Sequence, residues 1–320
     1  MDLFDSPANP CPPGSNVVRL RARDGALLRA AYWRPEAKAR GTVVILQGRS
    51  EFIEKYYEII GELLERGYFV VAFDWRGQGL SPRLLANPAK GHVLHSADYR
   101  HDLDALVEQV LGPDAPKPWF ALAHSMGAAA LFDHAAARGG SPFARVVATA
   151  PMLALHGFPG SDYARALADI FVFAGLSRMF IPGGGATMLC EKRFEGNILS
   201  SDRPRFERTA RIVAACPRLR LGEPTVGWVH AAYQLMDRLV EPGFAERINV
   251  PVLMLAAGDE RLVSTPAVEN LAKRLKNALC VVLPGARHEI MMERPEIRAK
   301  FWAAFDTFIP GEPLLPAAHA

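Results

Sequence analysis

The sequence lacks several features that would place it in a class at once. It has only four cysteines, and they show neither a CxxC pair nor the spacing of metal ligands. They lie at Cys11, Cys190, Cys216 and Cys280. The net charge of +3 is too small for the dense basic face of a nucleic-acid-binding protein. We therefore expect reduced thiols, no nucleic-acid partner and no bound metal.

Long apolar runs are also missing. The longest one, residues 170–181, is interrupted by Ser177 and Arg178 and is shorter than the roughly 20 residues that cross a bilayer. The first fourteen residues have acidic positions and no apolar segment of the kind found in signal peptides. We expect a soluble, cytoplasmic protein, and contact with the inner face of a membrane stays open.

Short apolar runs rich in β-branched residues alternate with segments of helical spacing. A hairpin turning at Asp24-Gly25 comes first, and buried strands are then predicted at 42–46, 68–73, 119–123, 145–150, 251–256 and 279–283. Because parallel strands need crossover helices, this order predicts an α/β protein with a mostly parallel, doubly wound sheet.

The alternation stops between residues 156 and 247, where helical patterns occur without a clear buried strand. A segment of this length is longer than an ordinary loop. We expect residues 1–155 and 248–320 to form the α/β core and residues 156–247 to form a helical cap. The apolar stretch 170–181 then packs inside the cap, lines an acyl chain or touches a membrane, and Trp228 and Tyr233 share that ambiguity.

The sequence AHSMG at residues 123–127 lies between a predicted strand and an alanine-rich helix. It is a variant of the G-x-S-x-G nucleophile elbow, in which small residues flank a sharp turn. Ala123 stands where the first glycine is usual. Ser125 is therefore the candidate nucleophile, and the start of the helix places free N–H groups near developing negative charge.

A serine hydroxyl needs a base, and the base needs an acid that orients it. In this fold the order along the chain is serine, acid, histidine, each at a strand end. Asp259 and Glu260 follow the strand at 251–256, and His288 follows the strand at 279–283. His124 is adjacent to the serine, and we interpret it as a structural residue.

Four segments carry a resemblance to a known family: QGRSEFIEKY at 47–56, DWRGQGLS at 74–81, HSMG at 124–127 and PGARHE at 284–289. Together they resemble serine hydrolases of the α/β-hydrolase superfamily, in particular bacterial lysophospholipase L2 and monoacylglycerol lipase. The resemblance implies an α/β-hydrolase fold with a helical cap and a triad of Ser125, Glu260 and His288, with Asp259 as the alternative acid. It also implies an oxyanion hole formed by the backbone N–H groups of Arg49 and Met126.

The resemblance implies hydrolysis of a lipid-like carboxylic ester without a cofactor. The alternatives are an esterase of small esters, an acyltransferase, and a catalytically silent lipid-binding protein. Two departures from the family pattern favour the silent alternative: Gln47, which replaces the usual histidine of the oxyanion segment, and Ala123. The side chain of Arg49 either pairs with Glu51 or Glu54 or reaches a substrate phosphate. The sequence predicts no oligomeric state.

Overall fold

An eight-stranded sheet runs through the computed structural model, which describes residues 2–156 and 161–309. The strands lie in the order β1-β2-β4-β3-β5-β6-β7-β8. Strands β1 and β2 run antiparallel to their neighbours, and all other pairs are parallel. Their bounds are β1 (Ser15–Arg21), β2 (Leu27–Trp33), β3 (Thr42–Leu46), β4 (Phe69–Asp74), β5 (Trp119–His124), β6 (Arg145–Thr149), β7 (Val252–Ala257) and β8 (Ala278–Leu283). The predicted α/β class with a mostly parallel sheet is confirmed.

The central strands are buried on both faces, as their continuous apolar sequences predict. Every residue of β3, β4 and β7 is buried. Strand β8 differs because it lies at the edge of the sheet, and the side chain of Leu279 is 62% exposed. The four cysteines are free thiols, as expected.

Helices flank the sheet and fill the long connection between β6 and β7. They are α1 (Tyr57–Glu65), α2 (Asp98–Leu106), α3 (Gly112–Asp114), α4 (Met126–Arg138), α5 (Ser161–Phe173), α6 (Arg203–Ala215), α7 (Val226–Val240), α8 (Thr265–Arg274) and α9 (Pro295–Phe308). A π-helical turn joins α2 to α3. None of the helices in the described ranges is both long and apolar enough to cross a bilayer.

The connection between β6 and β7 contains α5, α6 and α7 and, in its described part, no strand of the sheet. Helix α5 packs against α7, and α7 packs against α4 of the core. We call residues 156–247 the insertion; its division from the core stays a prediction. Residues 157–160 of the predicted cap and 310–320 of the predicted core lie outside the described residues.

A fully buried ion cluster holds two loops beside the C-terminal ends of β3 and β4. The guanidinium of Arg29 donates to Glu54 at 2.6 Å and to Asp74 at 2.7 Å. Asp74 also accepts the backbone N–H groups of Ile53 at 3.0 Å and Leu80 at 2.7 Å. Because each charge is paired, this cluster fixes the loops without leaving a buried ion unsatisfied.

Candidate active site

The turn between β5 and α4 places Ser125 in a conformation that few residues adopt. Its φ is 49° and its ψ is −114°. A Cβ atom on Gly127 would lie 2.3 Å from the carbonyl oxygen of Leu46 and 2.5 Å from that of Gln47, so only glycine fits there. Ala123 is fully buried in β5, which shows that the turn accommodates its methyl group.

The structure brings Ser125, His288 and Glu260 into one hydrogen-bonded line. The Ser125 hydroxyl lies 3.0 Å from His288 Nε2, and His288 Nδ1 lies 2.8 Å from Glu260 Oε2. Since a carboxylate only accepts, Nδ1–H donates to Glu260 and Nε2 is left free to accept the serine proton. The three side chains come from loops after β5, β8 and β7, as the chain order predicts.

Backbone donors fix the carboxylate of Glu260. Its Oε1 accepts the N–H groups of Arg261 at 2.9 Å and Leu262 at 2.8 Å. Burial alone would raise the pKa of Glu260, but the hydrogen bond and charge of His288 and the N–H groups of Leu262 and Val263 lower it below its ordinary value. Asp259 lies outside this arrangement: it pairs with Arg261 at 3.2 Å, and its side chain is 41% exposed.

The loop after β3 is held by side chains that leave one N–H group free. Gly48 donates its N–H to Glu51, and Ser50 donates its N–H to the Gln78 side chain at 2.9 Å. The N–H groups of Arg49 and Met126 have no acceptor among residues 2–156 and 161–309. These two free donors, one on this loop and one at the start of α4, are those expected for the oxyanion hole.

A buried cation links this loop to the segment that carries His288. Lys55 Nζ lies 2.7 Å from Glu51 and 2.6 Å from Glu289. Burial alone would raise the pKa of Glu51, yet the charges of Lys55 and His124 and the hydrogen bonds from Lys55 and Tyr56 lower it to about 2. Sequence reasoning missed this cluster, although its residues lie within the segments at 47–56 and 284–289.

His124 packs beside the hydrogen-bonded line without joining it. Its ring centroid lies 4.9 Å from that of His288, and its Nδ1 lies 3.1 Å from the carbonyl oxygen of Thr149. Burial, together with the charges of His288 and Lys55, lowers the pKa of His124 to about 4, although the charge of Glu51 acts in the opposite direction. The side chain is therefore neutral at pH 7, which fits the structural role predicted for it.

A cavity of about 510 Å³ opens in front of Ser125. The core contributes Ser125, His288 and the loop after β3, while the insertion contributes mostly apolar side chains. These include Leu167, Phe171, Ile181, Val226, Trp228 and Tyr233. Phe173 instead points outward and is 96% exposed. The apolar stretch at 170–181 is thus divided between the cavity wall and the outer surface.

The side chain of Arg49 also lines this cavity. It pairs with neither of the two carboxylates considered from the sequence, because Glu51 binds Lys55 and Glu54 binds Arg29. Its Nη2 instead donates to the carbonyl oxygen of Gly222 in the insertion at 2.7 Å. The expected pairing of Arg49 with Glu51 or Glu54 is therefore wrong, because the guanidinium is directed towards the insertion.

Comparisons with known proteins agree with this architecture. A family model described as "Serine aminopeptidase, S33" matches residues 37–295. Lysophospholipase L2 of Escherichia coli strain K12 is 33% identical over 268 residues, which cover 80% of this chain and 76% of that protein. Probable lysophospholipase L2 of Haemophilus influenzae is 29% identical over 283 residues, which cover 86% of this chain and 85% of that protein. The structure of a soluble variant of the Saccharomyces cerevisiae monoglyceride lipase has a TM-score of 0.72 at 18% identity, covering 95% of this chain and 98% of that chain.

Proposed function

We propose that this chain, which belongs to the serine aminopeptidase S33 family of α/β-hydrolases, hydrolyses a carboxylic ester of a lysophospholipid or a monoacylglycerol. The observation that carries the proposal is the line of Ser125, His288 and Glu260 at the wall of an apolar cavity. The names of the relatives, lysophospholipase L2 and monoglyceride lipase, supply the substrate class.

In the proposed reaction Ser125 Oγ attacks the ester carbonyl while His288 Nε2 accepts the hydroxyl proton. Glu260 stabilises the imidazolium that forms, and His288 then gives the proton to the oxygen of the leaving alcohol. The acyl group stays bonded to Ser125. Water, deprotonated by the same histidine, cleaves this acyl-enzyme, releases the fatty acid and restores the serine.

The backbone N–H groups of Arg49 and Met126 would hold the negative oxygen of the tetrahedral intermediate. Neither group has an acceptor in the part of the chain that the structure describes, and Met126 lies at the positive end of α4. A donor of this kind contributes about 3 kcal/mol to transition-state stabilisation. Replacement of the usual histidine by Gln47 leaves these two donors in place.

The charges of the cavity favour an ester over an aminopeptidase substrate, despite the family's description. A free α-ammonium group requires an unpaired carboxylate. Glu51 and Glu289 already bind Lys55, and Glu223 binds Lys192 at 2.9 Å. Among the described residues that line the cavity, no carboxylate is left to bind an amino terminus.

The insertion would act as a cap that receives the acyl chain from a lipid surface. One face of α5 lines the cavity through Leu167 and Phe171. Its outer face presents Tyr163, Ile170 and Phe173, which are 85%, 61% and 96% exposed. Exposed aromatic and aliphatic side chains on one helical face are typical of helices that lie in a membrane interface.

A fluorophosphonate probe tests the proposed nucleophile. We expect one adduct, located at Ser125 by peptide mass spectrometry, and its loss in His288→Ala. Ser125→Ala should lower kcat on a lipid ester by a factor on the order of 10⁶ while the protein stays folded. Ser50→Ala is the matched control, because Ser50 is the neighbouring serine on the cavity wall and should leave labelling at Ser125 intact.

Three outcomes would separate this proposal from its alternatives. A folded protein that is not labelled would favour a silent lipid-binding protein. Hydrolysis of short soluble esters but not of lipids would favour a small-ester esterase. Transfer of the acyl group to an added alcohol in preference to water would favour an acyltransferase.

A further inference from the structure

Arg49 differs from the carboxylates of the cavity wall in making no ion pair with a described residue. The carboxylates of Glu51 and Glu289 share Lys55. Glu223 binds Lys192, which balances its charge. Among the described residues, Arg49 has no carboxylate within 4.0 Å, although it lines the same cavity as Ser125.

The guanidinium of Arg49 keeps hydrogen-bonding capacity. Its Nη1 donates to Ser50 Oγ at 2.8 Å and its Nη2 donates to the carbonyl oxygen of Gly222 at 2.7 Å. Its Nε is buried and has no partner among the described residues. Arginine has five N–H donors, so two used donors leave about three for a ligand.

The position of the guanidinium is fixed rather than free. Its Cζ lies 4.9 Å from the centre of the Trp228 ring. A Cβ atom on Gly91 would lie 3.1 Å from Nη2, so the absence of a side chain at Gly91 makes room for it. The Trp228 ring and the two hydrogen bonds, one to the Ser50 hydroxyl and one to the Gly222 carbonyl oxygen, orient the guanidinium before any substrate binds.

Burial makes this lone charge costly. Burial lowers the pKa of Arg49 to about 10, although the charge of Glu223 acts in the opposite direction, and the group is still cationic at pH 7. A buried charge that makes no ion pair is unfavourable, and an anion that enters the cavity recovers part of that cost. The cavity wall at Arg49 is therefore complementary to one negative group in the same cavity as Ser125.

We propose that the Arg49 guanidinium binds the phosphate of a lysophospholipid headgroup. Arginine binds phosphate through two parallel hydrogen bonds, and a lysophospholipid carries its phosphate on the same glycerol as the ester. This inference rests on the proposed ester hydrolysis and narrows it. The backbone of Arg49 contacts the reacting carbonyl in that scheme, while its side chain selects the phosphate-bearing ester over the neutral monoacylglycerol.

The test compares kcat/KM for palmitoyl lysophosphatidylcholine and monopalmitoylglycerol in the same mixed micelles. We expect Arg49→Met to lower the ratio of the two values on the order of 10- to 100-fold, the loss typical of a charged hydrogen bond. Arg49→Lys, which keeps the charge but not the fork, should restore part of the ratio. Since both substrates are measured on one sample, partial unfolding cancels.

Arg83→Met is the matched control. Arg83 is a second arginine whose pKa burial lowers to about 10, and it donates to the carbonyl oxygens of Gly77 and Arg218 without lining the cavity. Its loss should leave the ratio unchanged.

The outcomes distinguish this inference from the proposed function. If Arg49→Met lowers both kcat/KM values equally, Arg49 only ties the loop to Gly222 and the inference is overturned. A wild-type protein that hydrolyses only the monoacylglycerol overturns it too, while ester hydrolysis stands. A wild-type protein that hydrolyses neither substrate overturns the proposed function itself.

Discussion

The two sides of the cavity are built in different ways. On the core side, Ser125, His288 and Glu260 are joined by hydrogen bonds of 3.0 and 2.8 Å and come from strand ends of one sheet. On the insertion side, the wall is mostly apolar, and Phe173, on the same helix as the wall residues Leu167 and Phe171, is 96% exposed. The comparison teaches that the polar groups of the core side are positioned by hydrogen bonds and ion pairs, whereas the insertion side is formed mainly by apolar side chains.

The difference follows from where each side sits in the fold. The core side is buried among parallel strands, where an unpaired polar group is costly, and the side chains of Ser125, His288 and Glu260 are all hydrogen-bonded there. The insertion packs on the core through α7, and its α5 has solvent on one face. We thus expect substitutions on the core side to change catalysis or stability, and substitutions on the outer face of α5 to change lipid association.

The largest effect should come from Glu260→Gln on the core side. An amide can no longer stabilise the imidazolium or hold the same histidine tautomer, so kcat should fall by about 10⁴-fold. Asp259→Asn is the matched control and should stay within a few-fold of wild type, because Asp259 points to Arg261. Hydrolysis of a soluble ester and the Tm of each variant measure this. A larger loss in Asp259→Asn than in Glu260→Gln would contradict the assignment of the acid.

An intermediate effect concerns pH and His124. Burial lowers its pKa in the folded chain from 6.5 to about 4. The unfolded chain therefore binds more protons below pH 6.5, so this contribution to stability is full above that pH and is lost as the pH falls towards 4. Between pH 7 and pH 5 the loss amounts to about 2 kcal/mol.

Urea unfolding of wild type and His124→Gln at pH 7 and pH 5 measures this contribution. Glu51, Lys55 and His288 face the same ring, so only the difference between the two proteins is assigned to His124. The variant should lose less stability on acidification than wild type does. Equal losses in both proteins would show that His124 does not stay neutral.

The smallest effect should come from the outer face of α5. Phe173→Ser removes an exposed aromatic side chain. We expect about a tenfold weaker association with anionic phospholipid vesicles, because partial burial of this side chain contributes less than the roughly 1.5–3 kcal/mol of full burial. Leu279→Ser on β8 is the matched control, because Leu279 is also exposed at 62% but lies on the sheet edge. Vesicle sedimentation measures both. Equal binding by wild type and Phe173→Ser would remove the membrane role from α5.

The sheet and the order of Ser125, acid and His288 could be predicted because each is written locally, in an apolar run followed by a polar strand end. The acid was open from the residues alone, since Asp259 and Glu260 are adjacent; only the resemblance favoured Glu260. The contact of Arg49 with Gly222 spans 173 residues and leaves no local pattern. Likewise, nothing in the sequence of β8 indicates that it forms an edge.

The close approach at Gly127 has a consequence for how such a protein can change over time. Helix α4 meets the carbonyl oxygens of Leu46 and Gln47 with no side chain between them. The spacing between the serine turn and the loop after β3 is therefore set by peptide groups, which are the same whatever side chains surround them. Side chains that line the cavity can therefore be substituted without changing the distance between the Ser125 turn and the loop after β3.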